Sequence, residues 1–151
     1  MPKASVKRLI ECKKKDLINL VLDIEKYPEF VPFCYDAKIY ENKNEGNLQK
    51  IIADLTIGKG PFKDTYKSDV VFNKNNDSIY VQNIEGPLNH LSNNWNFIEM
   101  DKSTEVTFNI DFEIKNKFLN SLMVISFQFG LEKIADAFQK RAEQLFDKPQ
   151  N

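Results

Sequence analysis

A proline-free segment of roughly thirty residues, from Asn116 to Phe146, limits the folds open to this chain more than any other part of it, since it is long enough for one helix of about 45 Å. Asn116 is suited to begin such a helix, because its side chain can accept a hydrogen bond from a free backbone N–H. The second half has one apolar stripe, made of Leu131, Ile134, Ala135, Phe138, Ala142 and Leu145. The first half, 118–131, is apolar nearly all round and needs a large surface to cover it.

The apolar first half has two interpretations that the sequence leaves open. In one, the helix packs deep in the core and needs apolar residues on several sides. In the other, one side packs on a sheet while another lines a cavity for an apolar ligand, with Met123, Phe118, Phe127 and Phe129 as an adaptable lining. Apolar pockets with few polar groups are what quinone or prenyl-chain binders require.

Upstream of this helix, apolar residues fall at every second position, which is the pattern of half-buried antiparallel strands. Segment 105–114 shows it most clearly. The predicted strands are 4–11, 35–41, 48–57, 62–72, 78–85, 91–97 and 105–114. Asp16 to Ile24 has the spacing of a short amphipathic helix with Asp16 as its N-cap, and a proline-broken segment, 27–34, follows it.

Glycines mark the expected turns and irregularities. Gly46 supplies the turn of a hairpin joined at 42–47, and Gly58 and Gly60 predict a bend or bulge before the next strand. Strand, short helices, six strands and a long helix predict an α+β fold, in which the helix crosses the concave face of a curved antiparallel sheet of about seven strands. The 151 residues suit a single domain, 1–151.

Residues that usually carry catalysis or bind metals are scarce. His90 is the only histidine, and Cys12 and Cys34 are far apart in the sequence. The chain therefore has too few suitable side chains for a nucleophilic triad or a metal site. By alternation, His90 falls on the face opposite Trp95, as a surface histidine. Asp64 is expected at a strand start near the rim of the sheet. We therefore expect no catalytic residues, no metal site and no enzymatic activity.

Charge and composition argue against other classes of partner and location. There are 21 basic and 22 acidic residues, so the net charge is −1 and no global basic field favours DNA. The first residues lack the apolar run of a signal peptide, and no apolar run reaches the ~18 residues that a membrane span needs. We expect a cytoplasmic location, while Lys13 to Lys15 leave peripheral contact with an anionic membrane surface open.

Five segments come in one order across nearly the whole chain and together resemble a known family. They are YPEFVPFC (27–34), ADLTIGKGPFKDTYKS (53–68), GPLNHLSNNWNF (86–97), FEIKNKFLNSL (112–122) and AFQKRAEQLF (137–146). In these segments the chain is similar to the coenzyme Q-binding proteins of the START/polyketide-cyclase superfamily, which also includes the bacterial ribosome-association toxins. Phe33 is a departure, since Trp is frequent at that position in the family.

The resemblance implies a START-like helix-grip fold with a hydrophobic tunnel between the sheet and the C-terminal helix. It also implies a bound ubiquinone (coenzyme Q) or related polyisoprenoid lipid, with no cofactor required and with segment 27–32 at the tunnel entrance. The expected ligand-binding residues are Tyr27, Phe30, Val31, Phe33, Leu55, Phe62, Tyr66, Leu91, Trp95, Phe97, Phe112, Leu119, Leu122, Met123 and Phe127.

Two functions from different classes follow from the resemblance. The leading hypothesis is a lipid-binding domain that chaperones ubiquinone in support of respiratory electron transfer, with the inner membrane as a peripheral location. The alternative is a ribosome-association toxin that binds the large ribosomal subunit and inhibits translation initiation. A third and weaker hypothesis is an aromatase/cyclase-like enzyme using the same cavity, because few titratable residues fall at inward positions.

Overall fold

The computed structural model describes residues 3–86 and 88–146, with the side chains left out at positions 59, 62, 119 and 122–127. The elements in chain order are β1 (Lys3–Ile10), α1 (Lys14–Leu22), a 3₁₀ helix (Ile24–Glu29), β2 (Cys34–Glu45), β3 (Leu48–Lys59), β4 (Phe62–Asn73), β5 (Ser78–Glu85), β6 (Leu88–Glu99), β7 (Thr104–Ile114) and α2 (Lys117–Leu145). The predicted order of elements and the α+β class are confirmed.

The seven strands form one antiparallel sheet in the order β1-β7-β6-β5-β4-β3-β2. Strands β2 to β6 each pair with the next strand along the chain, and β1 pairs with β7 at the far edge. Because the strands are in register, inward positions form rows across the sheet. One such row is Ile51, Val70, Val81, Asn93, Ile110 and Ala4.

Helices α1 and α2 bury their apolar faces against the inner face of this sheet. From α1, Leu17, Leu20 and Val21 are buried. From the second half of α2, Leu131, Phe138 and Ala142 are buried and Ile134 and Ala135 pack against the core, as the predicted stripe requires, whereas Leu145 at the helix end is exposed. In the part of the chain that the structure describes, neither helix has the length and apolar character needed to cross a membrane.

The predicted N-cap at Asp16 is wrong. Helix α1 begins at Lys14, and Lys13 occupies the N-cap position without a side-chain hydrogen bond to the helix. Asp16 lies instead in the first turn, where the partial positive charge of the helix N-terminus favours a carboxylate. The segment after α1 forms the 3₁₀ helix, which includes Pro28.

The hairpin between β2 and β3 is tighter than the predicted loop at 42–47. Both strands continue to the turn, so that only Gly46 and Asn47 connect them. Polar residues occupy this end of the hairpin, and alternation of apolar residues therefore gave no signal for it. Gly46 has a φ of 60°, which a glycine adopts without steric cost.

Gly58 and Gly60 do not form the predicted bend or bulge. Strand β3 continues through Gly58, which pairs with Lys63, and Gly60 lies in the tight turn to β4. Irregular register occurs elsewhere. Strand β2 is interrupted twice, between Cys34 and Asp36 and between Ile39 and Glu41.

Both edges of the sheet have other elements beside them. Helix α2 runs nearest to β1 and β7, and Gln128 of α2 donates a hydrogen bond to the Ser5 carbonyl on the edge strand β1. The Arg8 guanidinium on β1 pairs with the Asp136 carboxylate on α2. At the opposite edge, the Ile39 N–H of β2 donates to Glu25 Oε2 of the 3₁₀ helix, at 2.9 Å.

Candidate functional site

Segment 27–34 forms a packed aromatic corner in this structure, and it includes residues 27–32, which the family resemblance places at a tunnel entrance. The rings of Tyr27 and Phe30 meet Phe138 of α2 edge to face, with centroids 5.4 and 5.1 Å apart. Phe138 in turn meets Trp95 of β6 at 5.2 Å. The Tyr27 hydroxyl donates to the Val21 carbonyl at the end of α1. This network joins α1, the 3₁₀ helix, α2 and the sheet at one point.

A small apolar hollow lies beside this corner, between α1, the second half of α2 and the strands β1, β6 and β7. Its volume is about 30 Å³. That space holds about one water molecule, whereas ligand sites usually measure several hundred Å³. The hollow is lined by Val6, Arg8, Ile10, Leu17, Leu20, Val21, Trp95, Phe97, Val106, Phe108, Ile134, Ala135 and Phe138.

The predicted ligand-binding residues fall into five groups. Trp95 and Phe97 line the hollow, and Tyr27 and Phe30 belong to the aromatic corner. Buried further along the inner face of the sheet are Leu55, Tyr66, Leu91 and Phe112. Half-buried in the 27–34 segment are Val31 and Phe33. Outside the described side chains lie Phe62, Leu119, Leu122, Met123 and Phe127.

Phe33 links the 27–34 segment to the middle of α2. Its backbone has a φ of 70°, a left-handed conformation that is uncommon for a bulky residue. The Phe33 carbonyl accepts a hydrogen bond from the Gly58 N–H at 3.0 Å, which ties the segment to β3. The ring edge of Phe33 approaches Gly130, where a methyl group on the glycine would lie 3.8 Å from it. Phe33 therefore lies between β3, to which it is hydrogen-bonded, and Gly130 of α2, which its ring approaches.

Three titratable side chains lie close together behind this segment and are held neutral. Burial raises the pKa of the Cys34 thiol to about 11. Burial also raises the pKa values of the Tyr27 and Tyr66 phenols above the ordinary range of tyrosine, with smaller contributions from neighbouring groups. Groups that keep their protons at neutral pH add little charge to the interior, which suits an apolar ligand better than acid–base chemistry.

The strands also bring polar side chains to the inner face that sequence reasoning did not single out. Ser68 is fully buried and donates to the Ala53 carbonyl at 3.2 Å. The Asn83 amide bonds to the backbone of Leu91 and Leu88, where the ladder between β5 and β6 has ended. Asn93 is buried between Leu91 and Trp95 in the alternation of β6. The sequence contained a signal for these residues, because each is a polar residue at an inward position of an alternating strand.

The outer face of the sheet carries a polar groove of about 440 Å³ beside the β1 edge. Asp111 lies in it, with its Oδ2 atom 3.6 Å from His90 Nε2 and 3.9 Å from Lys3 Nζ. His90 is partly exposed on the face opposite Trp95, in agreement with the sequence prediction. Among the residues that the structure describes, no three His, Cys, Asp or Glu side chains are grouped as a metal ion would require.

The first half of α2 exposes large apolar side chains. Phe118 is 67% exposed and Phe129 is 62% exposed. They are eleven residues apart, which brings them to the same helix face three turns apart. The Lys133 ammonium lies 4.7 Å from the Phe129 ring centroid. This face, with exposed aromatic rings and a lysine, differs from the second half of the helix, where the Phe138 ring is buried in the core.

Residues 13–139 match the model of the family described as polyketide cyclase / dehydrase and lipid transport. The chain is 33% identical to a protein of Rickettsia prowazekii named ribosome association toxin RatA, over 91% of this chain and 94% of the relative. It is 30% identical to the mitochondrial coenzyme Q-binding protein COQ10 of Dictyostelium discoideum, over 85% of this chain but 62% of that longer relative. The relatives thus carry names from both functional classes.

Solved structures support the same assignment. An 18 kDa protein of Caulobacter crescentus superposes with a TM-score of 0.79 at 26% identity, covering 96% of this chain and 98% of that one. A START superfamily protein of Mycobacterium smegmatis superposes with a TM-score of 0.80 at 19% identity, covering 95% and 98% of the two chains. The START-like fold predicted from the sequence is confirmed.

Proposed function

The chain belongs to the polyketide cyclase / dehydrase and lipid transport family, and from that premise we propose that it binds ubiquinone or a related polyisoprenoid lipid between its sheet and α2. The lipid is carried without being chemically changed, so the function is that of a chaperone for a molecule of very low solubility in water. Delivery to respiratory electron transfer, with peripheral contact at a membrane, is part of the same proposal.

The observation that carries the proposal is the exposed aromatic face of α2, formed by Phe118 and Phe129. Large exposed rings next to lysines are suited to the interface of a lipid bilayer, where the ring enters the apolar layer and the ammonium stays at the headgroups. This face belongs to the half of α2 that is apolar nearly all round. A helix that meets a bilayer on one side and an apolar sheet on the other offers a path for a lipid to move between them.

On this proposal the lipid needs more room than the apolar hollow lined by the described residues offers. The hollow beside Trp95 and Phe138 has about 30 Å³, while a ring with two or three isoprene units needs several hundred. Inner-face residues such as Ile51 and Ile79 are fully buried, so the sheet is already covered in this state. We propose that α2 moves away from the sheet when the lipid enters.

The direct test is quinone transfer between vesicles. Donor liposomes that contain ubiquinone and acceptor liposomes without it are mixed with the purified protein, and the acceptor fraction is extracted and quantified. We expect the protein to accelerate transfer, and the double variant Phe118→Ser/Phe129→Ser to reduce the rate about tenfold or more. The control is Ile98→Ser, which removes an exposed apolar side chain from the outer face of β6 and should transfer normally.

No acceleration by the wild-type protein, together with no quinone in repeated preparations from quinone-producing cells, would reject lipid carriage. Equal rates for the double variant and the wild type would reject the exposed face of α2 as the point of membrane contact.

A second candidate function is association with the large ribosomal subunit and inhibition of translation initiation. One observation favours it. The relative named as a ribosome association toxin aligns over 94% of its length. A ribosome-binding surface also needs no internal cavity. The near-neutral charge disfavours a contact made mainly with RNA phosphates and favours ribosomal proteins as the binding partners.

Ribosome profiles separate the two candidates. Overproduction of a ribosome-associated inhibitor should raise the fraction of free subunits at the expense of assembled ribosomes, and the protein should sediment with the large subunit. The same cells should show neither effect if the protein only carries lipid. Profiles that stay unchanged during strong overproduction would exclude the second candidate.

A further inference from the structure

The inner face of the sheet holds an amide that the protein itself does not satisfy. Asn93 is 9% exposed, and its Oδ1 atom is buried without a hydrogen-bond partner. The other residues of its row across the sheet are aliphatic, namely Ile51, Val70, Val81, Ile110 and Ala4. A buried acceptor without a partner costs free energy that a leucine or valine at the same position would not.

Ser68 and Asn83, two other polar residues of this face, have structural explanations. The Ser68 hydroxyl donates to the Ala53 carbonyl. The Asn83 amide accepts from the Leu91 N–H at 2.8 Å and replaces a missing rung between β5 and β6. Asn93 replaces no such rung, since its own strand is regularly paired there, with Val81 on one side and Ile110 on the other.

The position of Asn93 along the sheet indicates which part of α2 covers it. Two residues further along β6, Trp95 meets Phe138 in the second half of the helix. In the other direction, β7 ends at Ile114, whose N–H donates to the Asn120 side chain in the first turns of α2. Asn93 pairs with Ile110, between these two contacts along the sheet, so we expect the nearest part of α2 to lie between Asn120 and Phe138. The first residues of that part belong to the apolar half, 118–131.

We infer that Asn93 binds the oxygen-bearing end of the lipid, while the isoprenoid chain lies along the aliphatic and aromatic rows beside it. This inference rests on the proposed lipid-binding function and names the residue that selects the head of the lipid. An asparagine amide can accept a hydrogen bond from a hydroxyl and, turned about its last side-chain bond, can donate one to a carbonyl. The same residue therefore serves both a quinone and its reduced quinol.

Selectivity is the consequence of this arrangement. A purely apolar groove distinguishes poorly between a hydrocarbon and an oxygen-bearing lipid of equal length, because the apolar contacts are the same. A site built around a buried hydrogen-bonding group rejects the analogue that lacks the matching oxygen, because that group then stays unpaired. The unpaired amide of the unloaded protein is thus the feature that allows a quinone to be chosen from a mixture of apolar molecules.

The experiment compares two ligands with the same chain, decylubiquinone and decylbenzene, on the full-length protein. The variants are Asn93→Leu, which preserves size, and Asn93→Ala, which cannot clash with neighbours. The matched control is Asn96→Leu on the outer face of the same strand. Binding is measured by equilibrium partition between protein and liposomes, followed by extraction and chromatography, and thermal unfolding of the unloaded proteins is recorded alongside.

We expect both Asn93 variants to bind decylubiquinone about tenfold more weakly than the wild type, the effect of one buried hydrogen bond, and to bind decylbenzene as well as the wild type does. The control should match the wild type with both ligands. Unloaded Asn93→Leu should unfold at the same temperature as the wild type or higher, because no hydrogen bond is lost.

Equal binding of decylubiquinone by the wild type and both Asn93 variants would overturn the inference and leave lipid binding intact. Equal weakening with both ligands would also overturn it, because the effect would then be one of packing. If the wild type bound neither ligand, the proposed function itself would fail, and the role of Asn93 with it.

Discussion

Phe138 meets three aromatic side chains edge to face, Tyr27, Phe30 and Trp95. Replacing it with alanine removes all three contacts and leaves a void that joins the existing hollow. We expect Phe138→Ala to lower the free energy of unfolding by about 3–5 kcal/mol, measured by urea denaturation.

The control for this prediction is Phe129→Ala on the same helix, where the ring is mostly exposed and the expected loss stays within about 0.5 kcal/mol. Similar losses for the two variants would contradict the packing described for the aromatic corner.

Cys34 makes the stability of the protein depend on alkaline pH. Its thiol ionises at about 11 in the folded chain, against an ordinary value of 9.0, so the folded state keeps a proton that the unfolded state loses between these pH values. The free energy of unfolding must therefore fall as the pH rises through that interval. Below the interval the thiol is protonated in both states, and its ionisation lowers stability no further. We expect Cys34→Ala to show a shallower fall between pH 9 and 11 than the wild type, as measured by urea denaturation.

The thiol offers a second measurement at neutral pH. A raised pKa leaves little thiolate, so Cys34 should react with a disulfide reagent at pH 8 far more slowly than the same residue in the denatured chain. Equal reaction rates before and after denaturation would contradict the burial of the Cys34 thiol in the folded protein.

At the scale of elements, Gly86 controls the approach of the β5–β6 turn to β4. It has a φ of 136°, and a methyl group there would lie 2.8 Å from the Tyr66 Cα atom. Because the clash is with backbone, it cannot be relieved by a rotamer change. We expect Gly86→Ala to lower the free energy of unfolding by about 2 kcal/mol or more.

The comparison variant is Gly46→Ala, whose φ of 60° is also left-handed but which has open space around it. Its expected cost is about 1 kcal/mol, from the backbone conformation alone. A smaller loss of stability for Gly86→Ala than for Gly46→Ala would contradict the close approach of the β5–β6 turn to β4.

The elements themselves were largely predictable from the sequence, because alternation and helical spacing report which side of a segment is buried. The strand over 105–114 and the helix from Asn116 show this, as the structure has β7 at Thr104–Ile114 and α2 at Lys117–Leu145. Tight turns were not predictable in detail. The end of the β2–β3 hairpin is polar, so its pairing depends on backbone hydrogen bonds that leave no trace in the hydrophobic pattern.

The site was less predictable than the fold for a related reason. Alternation placed Trp95, Phe97 and Leu91 on the inner face, but it does not reveal how closely a helix packs on that face. Whether the interior is solid or hollow depends on a few ångströms of separation between α2 and the sheet. Asn93 shared the inward pattern as well, yet its meaning comes only from the missing partner, which is a property of the folded structure.

At the scale of the whole molecule, if α2 moves away from the sheet as proposed, lipid uptake is a two-step process, with opening before binding or during it. The observed rate of uptake should therefore level off as the ligand concentration increases, because opening becomes limiting. Trp95 is the only tryptophan and is buried beside Phe108, so its fluorescence reports on the interior in a stopped-flow experiment with decylubiquinone. A rate that rises in proportion to concentration up to the highest ligand level would contradict the need for opening.

The two register shifts in β2 affect how readily copies of the protein aggregate through the edge of the sheet. An exposed, straight edge strand acts as a template on which another chain can add a strand, and repeated addition leads to fibrils. Here the edge is kinked at Cys34/Asp36 and at Ile39/Glu41, and the Ile39 N–H is already occupied by Glu25. The straight remainder of β2 alternates charged residues, Glu41, Lys43 and Glu45, with asparagines. This edge of the sheet therefore disfavours the addition of a strand from another copy of the chain.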